Sequence, residues 1–338
     1  MPERAERQRA FLEAQGLAGA TVAPLDGDAS FRHYFRVEDG TKTRVLMDAA
    51  GEPEAIDPFL QIARHLLSLG YSAPEIFAVD EAAGLLLLED LGRATYTRML
   101  ARGDMEETLY ALAIDLLADL HGRPLAEAVP PELPAYTDQR FLDEALLFTD
   151  WFLPAMTGEA TPAVVRESFA VLWPPLLDLA REVPESLVLR DYHVDNLVWL
   201  STREGVRACG LLDFQDAVRG PVAYDVVSLL EDARRDLAPG LADRMRERYL
   251  KRFPKLDAQA FARSLAILGA QRHCKVIGIF TRLFRRDGKP AYLDHLPRVW
   301  RLLEGNVAEP ALAPLAAWLD VHVPPALRCA PAPEDLAP

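Results

Sequence analysis

An α+β fold in two parts is what the order of elements predicts, and three observations predict it. The first 90 or so residues alternate short β-like runs and turns around one well-marked helix. From Glu106 onward the dominant period is helical. Within that second part, Leu187–Phe214 breaks into short apolar runs that end in ionisable residues.

Residues 3–15 form a charged amphipathic helix that ends at Gly16. Thr21–Leu25 follows as a strand, then the turn Asp26-Gly27-Asp28-Ala29-Ser30. Phe31–Val37 alternates, with Phe31, His33, Phe35 and Val37 on one face and Arg32, Tyr34 and Arg36 on the other. Another turn at Glu38-Asp39-Gly40 leads to a third strand, Arg44–Met47. Asp57 as cap, Pro58 in the first turn and Gly70 as stop mark the helix, whose stripe is Phe59, Ile62, Ala63, Leu66 and Leu67. Ile76–Val79 and Leu85–Leu88 make a hairpin.

In the second part, Leu109, Leu112, Ala113, Leu116, Leu117 and Leu120 line one side of a helix that ends in Leu120-His121-Gly122. Asp138–Phe152 and Thr161–Val183 are further helices, the latter kinked at Trp173-Pro174-Pro175. Pro221–Asp232 is helical, and Asp257–Arg286 is one long helix. On it Arg272, Lys275, Arg282 and Arg286 form a basic stripe whose default reading is a solvated face. The last ten residues, rich in Pro and Ala, are expected to be disordered.

Composition excludes several classes. With 51 acidic against 37 basic residues the net charge is −14, which argues against nonspecific binding to nucleic acid or anionic membrane. Cys209, Cys274 and Cys329 are scattered and odd in number, so neither a disulfide framework nor a zinc cluster is indicated, and a reducing cytoplasm is the expected setting. The first twenty residues lack the apolar core of a signal peptide, and no apolar run reaches membrane-spanning length.

The chemistry gathers in Leu187–Phe214. An apolar run delivers Asp191 into a polar loop, Asn196 closes the loop, and a later strand ends in Asp213. A single loop Asp is ordinarily a turn-former or cap. Three such residues in order at strand ends suit phosphoryl transfer, which needs one carboxylate to orient a hydroxyl and oxygen ligands to hold Mg²⁺ against nucleotide phosphates. Asp191 takes the first role, Asn196 and Asp213 the second.

In these residues the chain resembles the kinase-like superfamily, specifically its aminoglycoside phosphotransferase branch. The pattern H-R-D, four residues, N, then D-F-G appears as Leu189-Arg190-Asp191, Asn196 and Asp213-Phe214-Gln215. Leu189 and Gln215 depart from it. The resemblance implies a bilobal protein-kinase-like α+β fold: residues 1–92 as N-lobe with hinge, 93–310 as C-lobe, and 311–338 as a C-terminal segment. It implies ATP and Mg²⁺, with Ser30 in the nucleotide-covering loop and backbone groups of Glu89 and Leu91 at the adenine edge. The family's N-lobe lysine is replaced here by Met47, and Arg32 and Arg36 are the candidate phosphate cations. His121 and Asp225 are expected to brace the catalytic loop.

The blocks Gly27–Arg32, Leu46–Ala49, Gln271–Lys275 and Arg286–Pro290 further resemble the bacterial anomeric kinases that phosphorylate N-acetylmuramate and N-acetylglucosamine at C1 in cell-wall recycling. That resemblance implies a sugar acceptor with His193, Gln271 and Arg272 as its contacts, and a cytoplasmic monomer. Aminoglycoside, choline or homoserine kinases of the same fold are the alternatives, and a nucleotide-binding pseudokinase scaffold is a more distant one.

Overall fold

The computed structural model describes residues 2–25, 32–49, 56–103 and 105–332. Helix α1 is Pro2–Ala14, followed by strands β1 (Thr21–Pro24), β2 (His33–Asp39) and β3 (Lys42–Asp48). Helix α2 is Ile56–Ser68, and β4 (Ile76–Asp80) and β5 (Leu85–Glu89) form the expected hairpin. Then come α3 (Tyr96–Leu100) and α4 (Glu106–His121). Next are α5 (Leu125–Ala128), α6 (Asp138–Leu147), α7 (Leu153–Thr157), α8 (Ala163–Ala170) and α9 (Trp173–Ala180). Four short strands follow: β6 (Glu185–Val188), β7 (Leu197–Trp199), β8 (Cys209–Leu211) and β9 (Val218–Pro221). The chain continues through α10 (Ala223–Leu230), α11 (Leu241–Arg252), α12 (Ala258–Asp287), α13 (Leu296–Asn306) and α14 (Ala313–His322).

Two compact units result. One comprises residues 1–116 and 194–217, the other 117–193 and 218–338. In the first unit β1 to β5 form an antiparallel sheet in the order β1-β2-β3-β5-β4. Phe11, Leu12 and Leu17 from α1 and its following turn join Val37, Leu46, Leu85 and Leu87 of the sheet in one apolar cluster. The stripe of α2 is buried as its spacing predicts, with Ile56, Phe59, Leu60, Ile62, Ala63 and Leu66 inside. Asp57 lies within the first turn of α2, not before it as a cap. The β7–β8 hairpin belongs to this unit: Leu211 donates its N–H to the Ser72 carbonyl at 2.8 Å, and Ser72 Oγ donates to the Arg207 carbonyl at 2.7 Å.

The second unit is organised around α12, which packs against α6, α9, α10 and α13. Its N-terminus is capped by Asp257, which accepts from the N–H groups of Gln259 and Ala260. The expected single helix over 161–183 is two, α8 and α9. Pro174 lacks an N–H to continue the ladder, and α9 restarts with its prolines in the first turn. Phe148, Phe152, Phe169, Trp173 and Trp300 pack as an aromatic core. The Pro- and Ala-rich tail after residue 332 lies outside the described residues.

Gly278 marks a close crossing in this unit. A Cβ there would stand 2.3 Å from the backbone carbonyl carbon of Leu147, so α12 passes this neighbour only because the position has no side chain. Helix propensity alone favours alanine over glycine by about 1 kcal/mol. The close approach reverses that preference. Gly278→Ala is therefore expected to destabilise the protein by about 1–3 kcal/mol or more through overpacking, read as a lower urea midpoint. An unchanged or higher midpoint would contradict the crossing.

Candidate active site

In the second unit β6 runs into a backbone turn that few residues accept. Arg190 has φ of +68°, in the left-handed region, where a Cβ is unfavourable. Several bonds hold it there. The carboxylate of Asp225, fully buried on α10, accepts the N–H of Leu189 at 2.6 Å and that of Arg190 at 2.9 Å. The Arg190 carbonyl accepts from Ser228 Oγ and from Arg272 Nη1, each at 3.1 Å. Its guanidinium pairs with Glu144 on α6, which also takes the Tyr136 hydroxyl and stands 3.2 Å from Lys275 Nζ. Leu189 removes the histidine the family pattern would place here, and Asp225 with Arg272 supplies the bracing. His121 sits away from the loop instead: its Nδ1 pairs with the Tyr249 hydroxyl at 2.8 Å. Burial holds its pKa down to about 3, so it is neutral.

Asp191 follows this turn with 35% of its side chain exposed. Burial raises its pKa, but Lys275, Arg272, His193 and Arg190 outweigh that and bring it to about 2. Arg272 Nη2 stands 3.8 Å from its carboxylate. The carboxylate is thus ionised and still reachable.

The first unit holds the other half of the pattern. The N–H of Leu212 donates to the Asn196 carbonyl at 2.9 Å, which ties the two polar residues through backbone. Asn196 Nδ2 lies 3.4 Å from Asp213 Oδ2, and Gln215 Nε2 donates to Asp213 Oδ1 at 2.7 Å. Gln215, where the kinase pattern has glycine, therefore orients the carboxylate. Asp213 is exposed at φ of +56°, and Phe214 behind it stacks on Phe59 at 5.1 Å. Thr97 on α3 donates its N–H to the Val194 carbonyl at 3.3 Å and its hydroxyl to Asp195.

The donor set suits Mg²⁺, which binds one or two protein oxygens and fills its shell with water and phosphate oxygens. Asp213 offers a carboxylate, and a half-turn of the Asn196 amide presents its oxygen beside it. Among the described residues no cluster of three or more His, Cys, Asp or Glu makes an alternative metal site.

Of the nucleotide candidates, Arg32 lies near this pair. The Tyr34 hydroxyl, raised chiefly by burial, is hydrogen-bonded to Arg32 and close enough to Asp213 to be raised further by it. Arg36 does not join them. It is buried on β2 and bound bidentately to Asp90, at 2.6 and 3.0 Å, so its charge is already matched. Met47 is fully buried. The Glu89 N–H is used by the Glu75 carbonyl at 2.8 Å, whereas the Leu91 N–H makes no hydrogen bond among the described residues. Ser30 lies outside the described residues.

Of the acceptor candidates, Arg272 and His193 stand beside Asp191, whereas Gln271 does not. Gln271 is fully buried and gives its amide to the Phe141 carbonyl at 2.8 Å. His193 is buried against Asp232 and Arg234, and burial lowers its pKa. The basic stripe of α12 is not a solvated face at its inner end: Arg272 and Lys275 are buried, Arg282 is half-buried, and only Arg286 is exposed. Lys275, a charged neighbour of Asp191, and Glu144, which pairs with it and with Arg190, are the residues that sequence reasoning missed. The three-residue step from Arg272 to Lys275 was the available signal.

Burial pushes Asp225 up to about 7, against the pull of its two N–H donors and Arg272. Because that value lies above the ordinary one near 4, the neutral carboxyl stabilises the fold fully below pH ~4, and this contribution is lost as pH rises through ~7. Asp225→Asn is expected to flatten the decline in unfolding free energy between those limits. Its single acceptor oxygen also leaves one buried N–H unsatisfied, at a cost of about 1–3 kcal/mol. Urea titrations from pH 4 to 8 check both, and an unchanged pH slope would contradict the first.

Comparison with known proteins bears on the chain as a whole. The phosphotransferase enzyme family matches residues 21–265. The chain is 36% identical over 354 aligned positions to the N-acetylmuramate/N-acetylglucosamine kinase of Caulobacter vibrioides, covering 95% of this chain and 97% of that one. It is 38% identical over 307 positions to the enzyme of that name from Pseudomonas aeruginosa, covering 89% and 88%. In fold it is similar to a choline/ethanolamine kinase family protein from Mesorhizobium loti, with TM-score 0.61 and 17% identity over 94% of this chain and 99% of that one. The α+β kinase-like fold expected from the sequence is thereby borne out, and the chain belongs to the phosphotransferase enzyme family.

Proposed function

We propose that this protein is an ATP-dependent sugar kinase that phosphorylates the anomeric hydroxyl of N-acetylmuramate and N-acetylglucosamine. The observation that carries the sugar reading is the 36% identity, across nearly the whole length of both chains, to a kinase named for those two sugars. The chemistry rests on Asp191, an accessible carboxylate kept ionised at the end of a braced turn.

Asp191 accepts a hydrogen bond from the acceptor hydroxyl and aligns its oxygen with the γ-phosphorus of ATP. With a pKa of about 2 it is a weak base, which suits a loose transition state in which the proton leaves late. The anomeric hydroxyl is also the most acidic of the sugar's hydroxyls, so alignment matters more than basicity. Asn196 and Asp213 would hold Mg²⁺, which would supply positive charge to the phosphate oxygens. Arg32 is the N-lobe cation in place of the missing lysine, and the amide of Leu91 with the carbonyl of Glu89 meets the adenine edge. Arg272 faces the acceptor from α12. A cationic antibiotic would meet Arg190, Arg272 and Lys275 around Asp191, which disfavours the aminoglycoside alternative.

ADP release measured with ATP, Mg²⁺ and a panel of N-acetylmuramate, N-acetylglucosamine, kanamycin and choline tests this reading. Turnover is expected with the two aminosugars only, and EDTA is expected to abolish it. Turnover confined to kanamycin or choline, or none with any acceptor, would contradict it.

A further inference from the structure

Arg36 is claimed by Asp90 and so is not available to a phosphate, yet the pairing is more specific than scaffolding requires. Its Nε stands 2.6 Å from Asp90 Oδ2 and its Nη2 3.0 Å from Oδ1, with the two side chains 9% and 5% exposed. A buried ion pair is weak evidence for stability, because an apolar pair of similar volume is often as good. What an apolar pair cannot do is hold a carboxylate in one direction, as a guanidinium fork does. Direction matters here, since Asp90 Oδ1 also accepts the Gly92 N–H at 2.8 Å. That bond closes an Asx turn around Leu91, with Gly92 at φ of +92°. Leu91 is buried, its Cδ1 3.1 Å from where a Cβ on Gly210 would stand. Its N–H makes no hydrogen bond among the described residues, and a buried backbone N–H is seldom left without an acceptor. Glu89 is fixed separately, its carboxylate taking Arg203 and the Glu75 N–H. Both acidic side chains before Leu91 are thus tied down within the first unit, while the Leu91 N–H stays available.

We propose that Arg36 is a positioning residue for the nucleotide base: by fixing Asp90 it holds the turn 90–92 so that the Leu91 N–H is presented to a purine with an acceptor at N1. The inference rests on the reading that Leu91 and Glu89 meet the adenine edge. Adenine carries an acceptor at N1 and a donor at N6, which match the Leu91 N–H and the Glu89 carbonyl. Hypoxanthine carries N1–H and O6, which reverse both. A fixed turn therefore rejects inosine triphosphate (ITP), because its own polar groups would be left unpaired, and a loosened turn rejects it less.

Arg36→Lys keeps the charge but loses the fork, and Asp90→Asn keeps an acceptor for Gly92 but loses the charge. Calorimetry of ATP and ITP binding with Mg²⁺ and no sugar present reads the base contact apart from the identity of the acceptor. Each variant is expected to weaken ATP binding about tenfold, as for one compromised hydrogen bond, and to leave ITP binding unchanged. The preference for ATP over ITP then falls by the same factor, which loss of stability alone would not produce, while kcat at saturating ATP stays at the wild-type value. Arg4→Met, which removes a 2.8 Å pair to Asp48 on the same sheet, is the control and should leave the preference intact. Melting curves confirm that the variants compared are folded, and if Asp90→Asn does not fold Arg36→Lys decides. An unchanged ATP preference in the Lys variant would overturn the proposal, as would equal weakening for both nucleotides. Wild-type protein that binds ITP as tightly as ATP would instead remove the adenine contact itself, and the inference with it.

Discussion

The double hydrogen bond from the backbone N–H groups of Leu189 and Arg190 to the buried Asp225 carboxylate is the constraint on which the second half of the molecule depends. It fixes a left-handed residue that is not glycine, which costs about 1–2 kcal/mol. Leaving either buried N–H without its acceptor would cost about 1–3 kcal/mol, so the pair of bonds is enough to offset that strain. The carbonyl of the same residue is held by Ser228 and Arg272, and its side chain by Glu144. A turn specified from α6, α10 and α12 at once cannot drift, and Asp191 is the residue it presents.

Charge arrangement follows from that geometry. Arg190 and Lys275 share the Glu144 carboxylate and Arg272 stands beside Asp191, so each cation has a carboxylate within reach, while burial pushes Asp225 up to about 7. Among these Asp191 keeps the most accessible carboxylate. The balance explains how a protein of net charge −14 can hold a cation-rich surround for a single catalytic carboxylate. It also makes the carboxylate a poor base, so rate must come from alignment and from charge stabilisation of the transferred group.

The parts that could be read in the sequence are those governed by local pattern. The strands of the first unit, the stripe of α2, the length of α12 and the order Asp191, Asn196, Asp213 all follow from period, turn chemistry and spacing. Contacts made across long separations could not be read. Arg36 and Arg32 share a strand face, and only the fold reveals that Asp90 claims Arg36. Lys275 belongs to a stripe whose helical period looks the same whether solvent or a carboxylate faces it. Gln215 appeared as a departure from D-F-G, and its amide turns out to orient Asp213. Helix α3 was missed because five residues give too little periodicity, although Thr95 caps it and Thr97 ties it to the loop before Asn196.

The central claim is that one ionised carboxylate, Asp191, orients the hydroxyl that is phosphorylated. Replacing it with asparagine preserves its size and removes its charge, and the most direct measurement compares turnover with nucleotide affinity in that variant. The account predicts turnover lower by about three orders of magnitude or more, with Mg²⁺–ATP binding and melting temperature close to wild type. Turnover within a fewfold of wild type would contradict it.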